Sequence, residues 1–230
     1  MSIFFYSGGM AQCRQMICDA GGIETEFPKG VDIFPHLIRN NLCLFIDEGY
    51  LDTRLMTPGM GAYELVSYTS GSFLIGDVFW GKEFSLTHYE LIPETRLKGI
   101  CLPRHLLMAY SAQNHALWAQ LFQMFKELSY IHSVNTVLFH AEKGVNRVCN
   151  YLWIYDAIRQ TGAELPGITQ EKIVGKTLLS QSQVTRVLSE LRQQGIIDTN
   201  YRNVQIRDRE AMAQLVSPLC LNPDFMETII

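Results

Sequence analysis

The chain has 230 residues, a formal charge of -4, 47% hydrophobic residues and 18% charged ones. Domains average about 100–200 residues, so this length fits one large domain or two small ones. The ordinary apolar fraction excludes a disordered or collagen-like chain, and no apolar run reaches the ~18–20 residues of a membrane-spanning helix.

The stretch from Met1 to Gln12 is apolar but has no Lys or Arg before Arg14. A secretory signal places positive charge ahead of its apolar core, so none is expected. The six cysteines (Cys13, Cys18, Cys43, Cys101, Cys149, Cys220) are scattered. A chain this long builds a core without disulfides, which points to reduced thiols, a cytoplasmic location and no membrane partner. Charge is uneven. Residues 1–110 carry eight Lys/Arg against twelve Asp/Glu, whereas residues 169–209 carry seven against four. An acidic front and a mildly basic back suggest two tasks in one chain.

Residues 25–101 read as β-structure. Runs rich in aromatic and β-branched residues recur at 42–46, 51–56, 63–69, 73–75, 85–91 and 96–101. Pro28, Gly30, Gly49, Pro58-Gly59, Gly61, Gly71, Gly76, Gly81 and Pro93 separate them. Several short strands at this spacing imply a sandwich or a barrel.

From Asn114 to Phe139 there is no Gly or Pro. Leu117, Leu121, Met124, Leu128, Ile131, Asn135 and Leu138 follow one another at spacings of 4, 3, 4, 3, 4 and 3, the seam of a coiled coil. Asn135 falls at an a position, where a facing pair of asparagines fixes register. The expectation is a dimerisation helix over 111–140 that pairs through this seam. Trp118, Phe122 and Phe125 lie off it and would pack elsewhere.

After Gly144 the pattern is helical. Val145, Val148, Leu152 and Tyr155 share one face. Thr169 can cap a short helix. Ser180 with Gln183 forms the S-x-x-Q capping box of a second helix, which Gly195 ends. Val184, Val187, Leu188 and Leu191 make its apolar face. Ser182, Arg186, Ser189 and Gln193 lie opposite, bordered by Gln181 and Thr185. A short helix, a turn and a longer helix with a polar, Arg-bearing face make a helix-turn-helix. Residues 196–199 and 204–206 flank Asn200-Tyr201-Arg202-Asn203 as a hairpin, the wing of a winged helix.

Such a face suits double-stranded DNA. Arginine forks onto guanine O6/N7 and glutamine pairs with adenine N6/N7 in the major groove. Lys172, Lys176 and Arg202 would add phosphate contacts, which strengthen binding without choosing sequence.

With these zones in order, the chain resembles the Crp/Fnr superfamily of bacterial transcription regulators. The likeness rests on LFHAEKGVNRVCNYL (138–152) and on the segment from Ile168 to Leu191, aligned without a gap. It implies an α+β chain. A cyclic-nucleotide-binding-like β-roll (1–110) precedes the dimerisation helix (111–140), and a winged helix-turn-helix with a tail (141–230) follows. The resemblance places Gln181, Ser182 and Arg186 at base-reading positions, and Thr169, Gln170, Ser180 and Gln183 near the DNA backbone. It also implies a homodimer, with RNA polymerase as a candidate further partner. No iron–sulfur cofactor is expected, because four residues separate Cys13 from Cys18 and no third cysteine follows closely. The subgroup that fits best is the enterobacterial IprA-like branch, whose members lack recognisable effector motifs.

Two departures stand out. The family turn commonly has Gly where this chain has Leu178, and Ser182 replaces a usual Glu. Gly76-Asp77-Val78 resembles the nucleotide-binding turn, but no Arg lies between Gly76 and Arg96, where Glu83, Glu90 and Glu94 stand instead. Carboxylates in place of an arginine clamp repel a phosphate, so cyclic AMP is not the expected effector.

Two other readings compete. In one, the β-roll is a scaffold and regulation runs through protein contacts. In the other, the chain is a metal-dependent β-roll enzyme, of which His88-Tyr89-Glu90 is the nearest fragment. Its second His is missing and no other catalytic motif is present, so an enzyme is not expected. Cys13 and Cys18 are the thiols placed for redox sensing, and the apolar tail 216–230 is expected to pack on its own domain.

Overall fold

The computed structural model describes residues 5–6, 8–57, 61–75, 88–160, 165, 167–200 and 203–229. Within them the chain forms two compact units, Phe5–Tyr130 and Ile131–Ile230. The division falls inside the longest helix rather than at either end of it.

The first unit is a β-roll of two sheets. Strands β1 (Phe5–Tyr6), β2 (Ile23–Phe27), β3 (Leu42–Glu48), β4 (Leu51–Thr57), β5 (Gly61–Tyr68), β6 (Phe73–Leu74), β7 (His88–Pro93) and β8 (Leu97–Pro103) are interrupted by α1 (Arg14–Asp19) and α2 (Phe34–Arg39). One sheet runs β1-β5-β4-β7 and the other β2-β8-β3-β6. All pairings are antiparallel except β1 with β5, where Phe5 lies opposite Ser67. The sequence runs at 42–46, 51–56 and 73–75 coincide closely with β3, β4 and β6, while β7 starts at His88 and β1, most of β2, α1 and α2 gave no clear pattern.

Leu44, Phe45, Ile46, Leu51, Phe73, Leu91, Leu97, Ile100 and Leu102 fill the interior, each almost wholly buried. Gly49 turns β3 into β4 at φ +109°, and a Cβ there would meet the Arg96 carbonyl oxygen at 2.7 Å, so the turn requires glycine. Arg14 ties α1 to both β3 and β2. Its guanidinium donates to Asp47 at 2.7 and 2.9 Å and to Glu24 at 2.9 Å.

Two helices follow the roll, α3 (Arg104–Gln113) and α4 (His115–Ala141). Asn114 caps α4, accepting the Leu117 N–H on its side-chain oxygen at 3.0 Å. The Tyr6 hydroxyl donates to Glu127 at 3.2 Å and fixes β1 against this helix.

The expected dimer seam is corrected here. Leu117, Leu121, Met124, Leu128, Ile131 and Leu138 are buried by their own chain, and Asn135 on the same side is half-buried. A side chain already covered has no surface left for a second copy. Of the side chains that sequence spacing set aside, Trp118 and Phe122 are exposed, at 55% and 67%, while Phe125 is half-buried. Spacing of 3.5 residues defines a stripe on a helix but not what the stripe meets, and here it meets the protein's own core.

The second unit holds α5 (Gly144–Gln160), α6 (Gln170–Thr177), α7 (Gln181–Gln193), the antiparallel hairpin β9 (Ile197–Asn200) with β10 (Asn203–Ile206), and the short helices α8 (Arg209–Ala213), α9 (Pro218–Leu221) and α10 (Pro223–Ile229). Val148, Leu152 and Tyr155 of α5 are buried as their spacing predicts, while Val145 in the first turn is half-buried. Arg209 lies 4.5 Å over the Trp153 ring and donates to Asp156 at 2.6 Å, which joins α8 to α5. The tail packs inside this unit, with Val216, Cys220 and Phe225 buried. Among the described residues no helix is long and apolar enough to cross a membrane.

Candidate nucleic-acid interface

Helix α6 begins at Thr169, whose hydroxyl accepts the Lys172 N–H at 3.2 Å. It ends at Leu178, a left-handed residue at φ +55°. That conformation reverses the chain within one residue and is normally left to glycine. Ser180 then caps α7. Its hydroxyl accepts the Gln183 N–H at 3.3 Å, while Gln183 Oε1 accepts the Ser180 N–H at 2.8 Å. The capping box read from sequence is therefore formed, and Gly195 closes the helix at φ +73°.

Val184, Val187, Leu188 and Leu191 face the core. The other side is open. Gln181, Ser182, Gln183, Thr185 and Arg186 are all exposed, and the Arg186 side chain reaches 72% exposure. Glu190 holds it loosely, one turn on, at 3.9 Å. A pair so exposed gives way readily to a stronger acceptor, since surface ion pairs contribute about 0–1 kcal/mol. The α7 amino terminus adds unpaired backbone N–H groups and a partial positive charge, a setting that favours phosphate.

The backbone-contacting set divides. Thr169 and Lys172 are half-exposed, while Gln170, Ser180 and Gln183 are exposed. Lys176 is not available: it is 2% exposed, so its assignment as a phosphate contact is withdrawn. A lysine carries four methylenes, and at an inward position of a short helix these fill the core as an aliphatic chain would. Arg202 lies outside the described residues, as do Gly76, Asp77, Val78 and Glu83. Of the two suspected redox thiols, Cys13 is buried and burial pushes its thiol up, away from the reactive thiolate. Cys18 is half-buried, 3.9 Å from the Arg14 guanidinium.

One contact has no counterpart in the sequence patterns. Gln181 Nε2 donates to Gln170 Oε1 at 2.9 Å, and the Thr185 hydroxyl lies 3.4 Å from the same oxygen. Gln170 and Gln181 are the first residues of α6 and α7. No local spacing rule links the first residues of two crossing helices.

Residues 146–215 match the Crp-like helix-turn-helix domain family. This segment spans α6, α7 and the hairpin, so a Crp-like helix-turn-helix is what the second unit contains. The fold of the chain agrees with that of several solved proteins at low sequence identity. The CLP regulator of Xanthomonas campestris is 14% identical at a TM-score of 0.69, covering 86% of this chain and 99% of its own. A CooA variant from Carboxydothermus hydrogenoformans is 10% identical at 0.68, with coverage of 91% and 99%. FixK2 from Bradyrhizobium japonicum is 16% identical at 0.63, with coverage of 85% and 98%. Comparison with curated proteins returned no match.

Proposed function

We propose that this Crp/Fnr-type regulator is a cytoplasmic homodimer that reads its operator through α7, with Gln181, Ser182 and Arg186 at base edges. Thr169, Gln170, Lys172, Ser180 and Gln183 then lie along the sugar–phosphate backbone, with Arg202 at the wing tip. The observation that carries this reading is the capped α7 with its polar face uncovered and Arg186 held only by a weak neighbour. Arg186→Ala tests it. Affinity for the selected operator falls by about 5–150-fold, the value of one good base contact, while affinity for random duplex changes little. An equal loss on both would remove Arg186 from base reading.

The dimer contact is assigned to the outer side of α4. Trp118, Phe122, Tyr130 and Val137 are all exposed, and at 100° per residue they fall within an arc of roughly 120°. Large apolar side chains along one stripe favour a partner surface, and the resemblance to Crp/Fnr regulators implies a homodimer. Cyclic AMP is not the expected effector, because no arginine lies between Gly76 and Arg96. On the neighbouring strands, Arg54 is already engaged by Glu94 at 3.2 Å and Glu64 at 3.8 Å. This lack of a phosphate clamp supports placement in the IprA-like branch, with RNA polymerase as the protein partner.

A further inference from the structure

We infer that Gln170 is a specificity-determining residue that acts through Gln181, fixing which way the Gln181 amide faces and so restricting it to adenine. The inference rests on the reading of α7 as the base-contacting helix and deepens it.

A glutamine amide has two donor hydrogens on nitrogen and an acceptor oxygen, and a free one can rotate to exchange them. Gln181 is not free. Its Nε2 spends one hydrogen on Gln170 Oε1 at 2.9 Å. Rotation of Gln181 alone would bring its Oε1 against that same oxygen, acceptor against acceptor; only a concerted turn of both amides would restore the bond. What remains outward is one N–H and one carbonyl oxygen, side by side. That pair complements adenine in the major groove: Oε1 accepts from N6 and Nε2–H donates to N7. Guanine offers two acceptors there, N7 and O6, and the fixed Gln181 oxygen would oppose O6.

Thr185 strengthens the arrangement. Its hydroxyl lies 2.8 Å from the Gln181 carbonyl oxygen and 3.4 Å from Gln170 Oε1, bracing the first turn of α7 against α6. Ser182 is likewise engaged, 3.0 Å from the Ser180 hydroxyl. The start of α7 is thus ordered before DNA arrives, and ordering that precedes contact reduces the entropy lost on binding.

The test uses the full-length protein and duplexes selected by it from random-sequence DNA. The base pair read by Gln181 is the one whose preference disappears in Gln181→Ala. At that pair the wild type prefers adenine by at least about fivefold over the other bases. Gln170→Leu, which removes the acceptor at an exposed helix start, reduces the preference below about twofold and leaves the salt dependence of binding unchanged. Gln170→Glu, whose oxygens only accept, keeps the adenine preference while its charge weakens binding to every sequence alike. In the Gln181→Ala background Gln170→Leu has no further effect on base preference, as expected for two residues acting as one. Thermal melting shows both variants folded. The inference is overturned if Gln170→Leu preserves the adenine preference, or if Gln170→Glu loses it equally. A wild-type protein that selects no sequence at all would instead overturn the reading of α7 itself.

Discussion

The Asn150 side-chain oxygen accepts the backbone N–H of Ser217 at 2.7 Å, in a fully buried contact spanning 67 residues. It joins α5 to the start of α9, and Ser217 in turn caps that helix through the Leu219 N–H. Asn150→Ala leaves a buried amide without its acceptor, a loss of about 1–3 kcal/mol. Thermal unfolding should show a lower midpoint, and a protease should cut the tail sooner. An unchanged midpoint would show that the tail docks by apolar burial alone.

Leu178 bears the opposite kind of cost. It occupies the left-handed region at φ +55° and is 41% exposed, so its side chain gains little from burial. Relief of roughly 1–2 kcal/mol of strain, less the ~0.5–1 kcal/mol of glycine's extra unfolded-state freedom, predicts that Leu178→Gly stabilises the protein slightly. Urea unfolding measures this. A lower urea midpoint would mean that the leucine side chain makes a contact worth more than the strain.

Neighbouring residues on α4 should behave in opposite ways. Leu121 is buried and Phe122 is exposed. Leu121→Glu places a charge in the core and should prevent folding. Phe122→Glu should give a folded protein that light scattering reports as a monomer. A Phe122→Glu protein that remains a dimer would move the interface off this helix face.

Cys149 and Cys220 are buried, and burial pushes each thiol up to about 12, with the charge of Glu142 adding to the effect at Cys220. The folded state therefore holds these protons more tightly than an unfolded chain, whose thiols titrate near about 8.5. Their contribution is complete below that value and is lost as pH rises toward about 12. Both thiols should resist a thiol reagent at pH 8 in the native protein, and unfolding midpoints should fall above pH 9. Rapid labelling of either one at pH 8 would contradict the burial.

Local chemistry made the helix-turn-helix unit legible from sequence. Thr169, Ser180, Gln183 and Gly195 each signal a helix end through a single backbone bond or dihedral, and the structure contains all four features. The strands of the roll were legible as runs rich in aromatic and β-branched residues bounded by Gly and Pro. What spacing alone does not encode is direction. The 3.5-residue stripe on α4 was real but faced inward, and Lys176 occupied a core position that charge alone would have placed outside. Helices α1 and α2 are too short to show a period, and the β1–β5 pairing joins residues some sixty positions apart. The Gln170–Gln181 contact depends on how two helices cross, which no window along the chain samples.

The central claim is that α7 reads sequence from a paired molecule. A footprint of the wild-type and Arg186→Ala proteins on a selected operator tests it most directly. The wild type should protect two symmetric half-sites with centres about 34–36 Å apart, one turn of the duplex or a multiple of it, and Arg186→Ala should lose both together while still coating random DNA at low salt. Protection of a single unsymmetric segment, or a footprint indifferent to Arg186, would contradict it.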